Sequence, residues 1–64
     1  MRIIGIDIGS STTKIIEYKN NEIVSKKIIR RVYERNDLDN FIHENNLNDI
    51  DYIVFTGIGT DKIN

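Results

Sequence analysis

Ile3-Ile4-Gly5-Ile6-Asp7-Ile8-Gly9-Ser10-Ser11-Thr12-Thr13-Lys14 decides how the rest of the chain is read. Ile3, Ile4, Ile6 and Ile8 form a β-branched run suited to a buried strand. That strand carries Asp7 to its C-terminal end and runs into Gly9, which lacks a Cβ and turns where other residues clash. Ser10, Ser11, Thr12 and Thr13 then add their hydroxyls to the N–H groups of the turn. Such a turn cradles an oxyanion, as backbone nests do. A carboxylate this close to the glycine repels a bare phosphate but suits one that arrives with Mg²⁺. The stretch reads as half of a Mg-nucleotide site.

Outward from it, the first strand spans residues 2–8 and the second 12–19, with Ile15 and Ile16 in its middle. Lys19-Asn20-Asn21-Glu22 suits a hairpin turn, because asparagine tolerates positive φ. A third strand at 22–29 carries Ile23, Val24, Ile28 and Ile29, and its lysines suit an edge strand. Residues 30–35 fit an extension of that strand or a loop. A helix fits 37–46: Asn36 stands as N-cap, and Asp37 and Asp39 oppose the macrodipole. Leu38, Phe41 and Ile42 make its apolar stripe. Asn45 and Asn46 are suited to end it in a left-handed conformation. Tyr52-Ile53-Val54-Phe55 lies in a last strand at 51–56, which runs into Gly57-Ile58-Gly59-Thr60.

The order β-β-β-α-β has a geometric consequence. Three strands in a meander leave the third parallel to the first, and a right-handed crossover through the helix lays the fourth beside the first. The expected fold is α/β, a mixed sheet of order 3-2-1-4 with one helix. Both glycine turns then sit at the C-terminal ends of adjacent parallel strands, where ligands of α/β sheets collect. Ile3-Ile4 and Ile53-Val54-Phe55 are apolar on both strand faces, the pattern of a doubly covered sheet. One helix covers one face, so the other, and the fourth strand's edge, call for further chain or another subunit.

Composition sets outer limits. A 64-residue chain is one small domain or part of one, and buries only about 60% of its unfolded surface. It has no cysteine, hence no disulfide, thiolate-zinc or iron–sulfur ligand of its own; that is compatible with the cytoplasm. The net charge of -1 gives no electrostatic case for nucleic acid or an acidic membrane. No apolar run approaches the roughly 18–20 residues of a membrane span, and the N-terminus lacks a signal-peptide core.

Asp7-Ile8-Gly9-Ser10-Ser11-Thr12 resembles the first phosphate motif of the superfamily of acetate and sugar kinases, Hsp70 and actin, built on ribonuclease-H-like domains. The resemblance extends over the whole chain, as the N-terminal part of an actin-like ATPase domain (residues 1–64). Within that superfamily the sequence looks most like the start of type II (Fumble-like) pantothenate kinases. Gly5, Asp7, Gly9, Ser11 and Lys14 match their first motif, with Ser10 in place of the usual second glycine. Thr56, Gly57 and Gly59 match the second, with Ile58 in place of the middle glycine. ATPase activators of 2-hydroxyacyl-CoA dehydratases share an Asp-x-Gly-Ser-Thr-like start and a Thr-Gly-x-Gly turn. They hold an iron–sulfur cluster at a dimer interface through cysteines beyond the span seen here.

The kinase resemblance implies ATP and Mg as cofactors, pantothenate as substrate, and phosphoryl transfer that opens coenzyme A synthesis. It implies that Gly9, Ser10, Ser11, Thr12 and Thr13, with Thr56, Gly57 and Gly59, hold nucleotide. Asp7 orients hydrated Mg²⁺ and Lys14 offsets developing charge, transfer being chiefly positioning and charge neutralisation. The family's general base lies past residue 64, so the chain alone is expected to be inactive. Two alternatives stand beside this: a dehydratase activator, and a non-catalytic assembly module. A ribonuclease-H-type nuclease fits less well, since no second carboxylate pair accompanies Asp7.

Each site also has a plainer reading. Asp7 suits a turn-capping carboxylate, and the Ser and Thr hydroxyls suit local bonds that close the hairpin. Lys14 reads equally as a solvated strand lysine, the resemblance favouring a phosphate contact. Asp61 and Lys62 suit the first turn of a following helix. His43 has no positioned partner for general-base work. Lys26, Lys27, Arg30, Arg31 and Arg35 read as a solvated edge, interrupted by Glu34 and without an RNA-binding signature.

Overall fold

The computed structural model describes residues 1–57. Its elements are β1 (Arg2–Ile8), β2 (Thr13–Lys19), β3 (Glu22–Ile29), α1 (Asp37–Glu44) and β4 (Tyr52–Gly57). They form one four-stranded sheet of order β3-β2-β1-β4. β1 pairs antiparallel with β2 and parallel with β4, and β2 pairs antiparallel with β3. This is the expected α/β arrangement.

Alternation along β1 and β2 sorts the side chains onto two unlike faces. Ile4, Ile6, Ile8 and Ile15 point to the face beneath α1 and form the core with Phe41. Leu38, Leu47, Ile50, Tyr33, Ile29 and Phe55 pack around them. Tyr33 meets Phe55 edge-on, with ring centroids 5.7 Å apart, joining the β3–α1 loop to β4. Burial raises the Tyr33 hydroxyl's pKa, and a bond from the Leu38 backbone partly offsets that. The opposite face has no covering element among the described residues, and Tyr18, Ile23, Ile28, Tyr52 and Val54 are exposed.

Boundaries move by one or two residues, each for a local reason. β2 starts at Thr13 because the Thr12 carbonyl accepts the Gly9 N–H at 2.8 Å and belongs to the turn. At the next hairpin Asn20 and Asn21 take φ of 53° and 67°, the paired left-handed residues that a two-residue β-turn demands. α1 ends at Glu44 rather than 46. Asn45 turns its side chain back to the Phe41 carbonyl at 2.9 Å, and of the two asparagines only Asn46 is left-handed, at φ 52°. Asn36 occupies the N-cap position but makes no side-chain cap bond.

Residues 30–35 are a loop, and here the expected solvated edge needs correcting. Arg31 forks onto Asp37, Nη1 to Oδ2 at 2.8 Å and Nη2 to Oδ1 at 2.6 Å. Lys27 reaches Glu44 at 2.7 Å. At the far rim Arg2 binds the buried Glu17 at 2.9 Å and donates to the Asn48 carbonyl. Its backbone N–H donates to Asp51 Oδ2 at 2.7 Å, and its carbonyl accepts the Asp51 N–H at 2.9 Å. These contacts fasten the helix and its flanking loops to the sheet. Among the described residues, no helix is long and apolar enough to cross a membrane.

Candidate functional site

The Gly9 turn and Gly57 share one rim. Ile8, the last residue of β1, lies opposite Gly57, the last of β4, and Asp7 lies opposite Thr56. Gly57 has φ +103°, and a Cβ there would stand 2.2 Å from the Ile8 carbonyl oxygen and 2.9 Å from Asp7 Oδ1. Both the conformation and the close approach require glycine. The site is thus assembled by the parallel β1–β4 pairing, which brings together residues about fifty positions apart in sequence.

Gly9 is needed for a different reason. A Cβ would lie 2.9 Å from the Thr12 carbonyl oxygen, so the space at Gly9 is filled by the turn's own backbone. The result is a tight hairpin loop with exposed Ser10 and Ser11 at its tip and half-buried Thr12 closing it. Among the described residues, Ser10, Ser11 and Thr12 make no side-chain hydrogen bond. The alternative in which these hydroxyls close the hairpin locally is therefore not what the loop does. Its closure comes from backbone.

Register partners project on one face of a sheet. Asp7 pairs with Lys14 in β2 and Thr56 in β4, so all three form a row across the uncovered face, one step inside the turn. All three are exposed. Among the described residues, Asp7 and Lys14 enter no ion pair, and no group of three acidic, His or Cys side chains is placed to hold a metal. A lone exposed carboxylate fits a cation that keeps most of its own water, as Mg²⁺ does.

Thr13 departs from its neighbours. Its side chain is fully buried under the α1 side of the sheet, and its hydroxyl donates to the Arg31 carbonyl at 3.0 Å. The strand alternation that points Lys14 to the open face points Thr13 away from it. Gly59, with Asp61 and Lys62, lies outside the described residues. His43 is exposed in the last turn of α1, far in sequence from the rim residues.

What the sequence reading passes over is the pairing of Arg31 with Asp37. Asp37 is 3% exposed and also takes the Glu34 N–H at 2.7 Å. The Arg31 guanidinium holds its carboxyl below the ordinary aspartate pKa, against the opposing effect of burial. An acid in a helix's first turn reads as a dipole partner. No short-range spacing rule ties it to an arginine six residues upstream across a loop.

No protein-family model matches the sequence, and no curated protein matches it at a significant level. Its fold is that of an actin-like ATPase fragment. A solved structure of the activator of the 2-hydroxyisocaproyl-CoA dehydratase from Clostridium difficile, with bound ADPNP, superposes on the whole chain with a TM-score of 0.83 and 28% identity. The chain spans 26% of that structure's length.

Proposed function

We propose that this chain is the phosphate-binding portion of an ATP-dependent activator of an acyl-CoA dehydratase. The observation that carries the reading is similarity over the whole of this chain, and 26% of the other, to an activator bound to ADPNP, an ATP analogue, at 28% identity. That similarity favours the activator over the pantothenate kinase that the motifs resemble most. Ser10, which departs from the kinase pattern, belongs to the activator-like start.

The rim supports specific roles. The hydroxyls of Ser10, Ser11 and Thr12 meet the β- and γ-phosphates, while Gly9, whose N–H bonds the Thr12 carbonyl, and Gly57, packed on the Ile8 carbonyl, give the rim its shape. Asp7 would hold Mg²⁺, and Lys14 adds positive charge from the same face. Mg²⁺ there would neutralise phosphate charge, which eases displacement of the terminal phosphoryl group. Thr56 stands beside Asp7 as a further hydroxyl. Thr13 supports the turn from behind. The chain contributes no cysteine, so its residues do not fit an iron–sulfur cluster, which takes thiolates.

In this reading nucleotide binding and hydrolysis drive a change of shape, and no small molecule is phosphorylated. ATP hydrolysis by the activator of which this chain would be a portion is therefore expected to be independent of added pantothenate and to fall with Asp7→Ala. Phosphopantothenate formation in the same assay would return the reading to the kinase.

A further inference from the structure

We infer that Thr13, Arg31 and Asp37 form a positioning relay that holds the phosphate turn at residues 9–12 in shape from the far side of the sheet. The inference rests on the nucleotide reading of that turn for its purpose, but on the described contacts for its existence.

Valine has the size and branching of threonine and suits a buried strand position as well. A hydroxyl at a fully buried position is costly unless it has a partner. Thr13 has one, the Arg31 carbonyl at 3.0 Å. That carbonyl lies in a loop without regular backbone pairing, so something else must place it. Arg31's own side chain does so: its fork on Asp37 is accompanied by a bond from Nη1 to the Val32 carbonyl at 3.1 Å. Asp37 is anchored in turn by the first turn of α1 and by the Glu34 N–H.

Thr13 directly follows Thr12, whose carbonyl closes the turn on Gly9. The relay therefore pins the outgoing end of the turn, while the pairing of Ile8 with Thr13 pins the incoming end. All of it lies on the α1 side, leaving the turn's hydroxyls and the Asp7 row unencumbered. The hairpin turn at the other rim is held differently: Asn20 is tied to Met1 by two bonds of 3.3 Å, with both residues exposed, and the Arg2–Glu17 pair sits further inside the sheet without a buried hydroxyl at the turn. Of the two hairpin turns among the described residues, the one assigned to phosphate is braced by a buried hydroxyl and a forked ion pair.

The test reads Gly9 amide hydrogen exchange by NMR and Mg-ADP affinity by calorimetry, in wild type, Thr13→Val and Thr13→Ser. A buried hydrogen bond of ordinary strength predicts about five- to tenfold faster Gly9 exchange in Thr13→Val. Exchange at Ile6 should stay within about twofold of wild type by the same reasoning, since the core is unchanged. Mg-ADP affinity should fall about three- to tenfold, and Thr13→Ser should restore both. Gly9 exchange equal to wild type, or rising only in step with Ile6, overturns the relay. So does unchanged affinity with a loosened turn. If Thr13→Val does not fold, Asp37→Asn is read in the same way, since it weakens the fork without emptying the site. Wild-type Mg-ADP binding decides the nucleotide reading separately, so neither failure is mistaken for the other.

Discussion

The sheet's two faces are built from the same alternating strands and do opposite things. Under α1, Ile4, Ile6, Ile15 and Phe41 exclude water, and the acids present, Glu17 and Asp37, are each matched by an arginine. On the other face Asp7, Lys14 and Thr56 stand exposed in a row without ion pairs, among exposed apolar side chains. A residue shift of one in register would exchange the two sets. The difference teaches that one face is spent on holding the chain together, which leaves polar groups of the other unmatched and able to act on a ligand.

The largest effect should come from breaking the join between Gly57 and the end of β1. Gly57→Ala places a Cβ where the Ile8 carbonyl stands, in a backbone conformation alanine disfavours. It should separate β4 from the end of β1, and both the melting temperature and Mg-nucleotide binding should drop sharply. Normal stability with normal binding would mean that Gly57 does not close against the end of β1.

Phe41→Ala attacks the covered face alone and should cost about 3–5 kcal/mol in denaturant unfolding, as truncation of a buried aromatic does. Acid reports the same face more gently. Asp37's carboxyl is held below the ordinary range by Arg31. Its contribution is therefore complete above the ordinary aspartate pKa, and it declines as pH falls through the depressed folded value. Wild type should lose stability more steeply with acid than Asp37→Asn; parallel curves would show that the fork is not formed in solution.

The smallest effect is expected at Gly5, where an added Cβ meets nothing within 4 Å on the open side. Gly5→Ala should be neutral or stabilising by up to about 1 kcal/mol, the usual gain from removing glycine inside a strand. A clear loss would show that this face packs against something in the working protein.

Much of this was legible in the residues. The β-branched run at Ile3 to Ile8, the Asn20-Asn21 turn and the Leu38–Phe41 stripe are local patterns, and right-handed crossover then sets strand order and brings Gly57 to Asp7. What stayed hidden depends on contacts across loops. Arg31 looks like one more surface cation until the loop folds it onto Asp37. Thr13 looks like a fourth turn hydroxyl until the start of β2 decides which face it takes. Strand phase at one residue separates a ligand from a brace.

The central claim is that the exposed row at Asp7 takes a magnesium nucleotide. Calorimetric titration of Mg-ATP into wild type and Asp7→Ala, matched in melting temperature, tests it most directly. Saturable wild-type binding that Asp7→Ala loses at least about tenfold, as expected for removing a charged ligand contact, is the predicted result. Equal and weak heats from both proteins would contradict it, and would leave the chain an assembly module with a nucleotide-site shape.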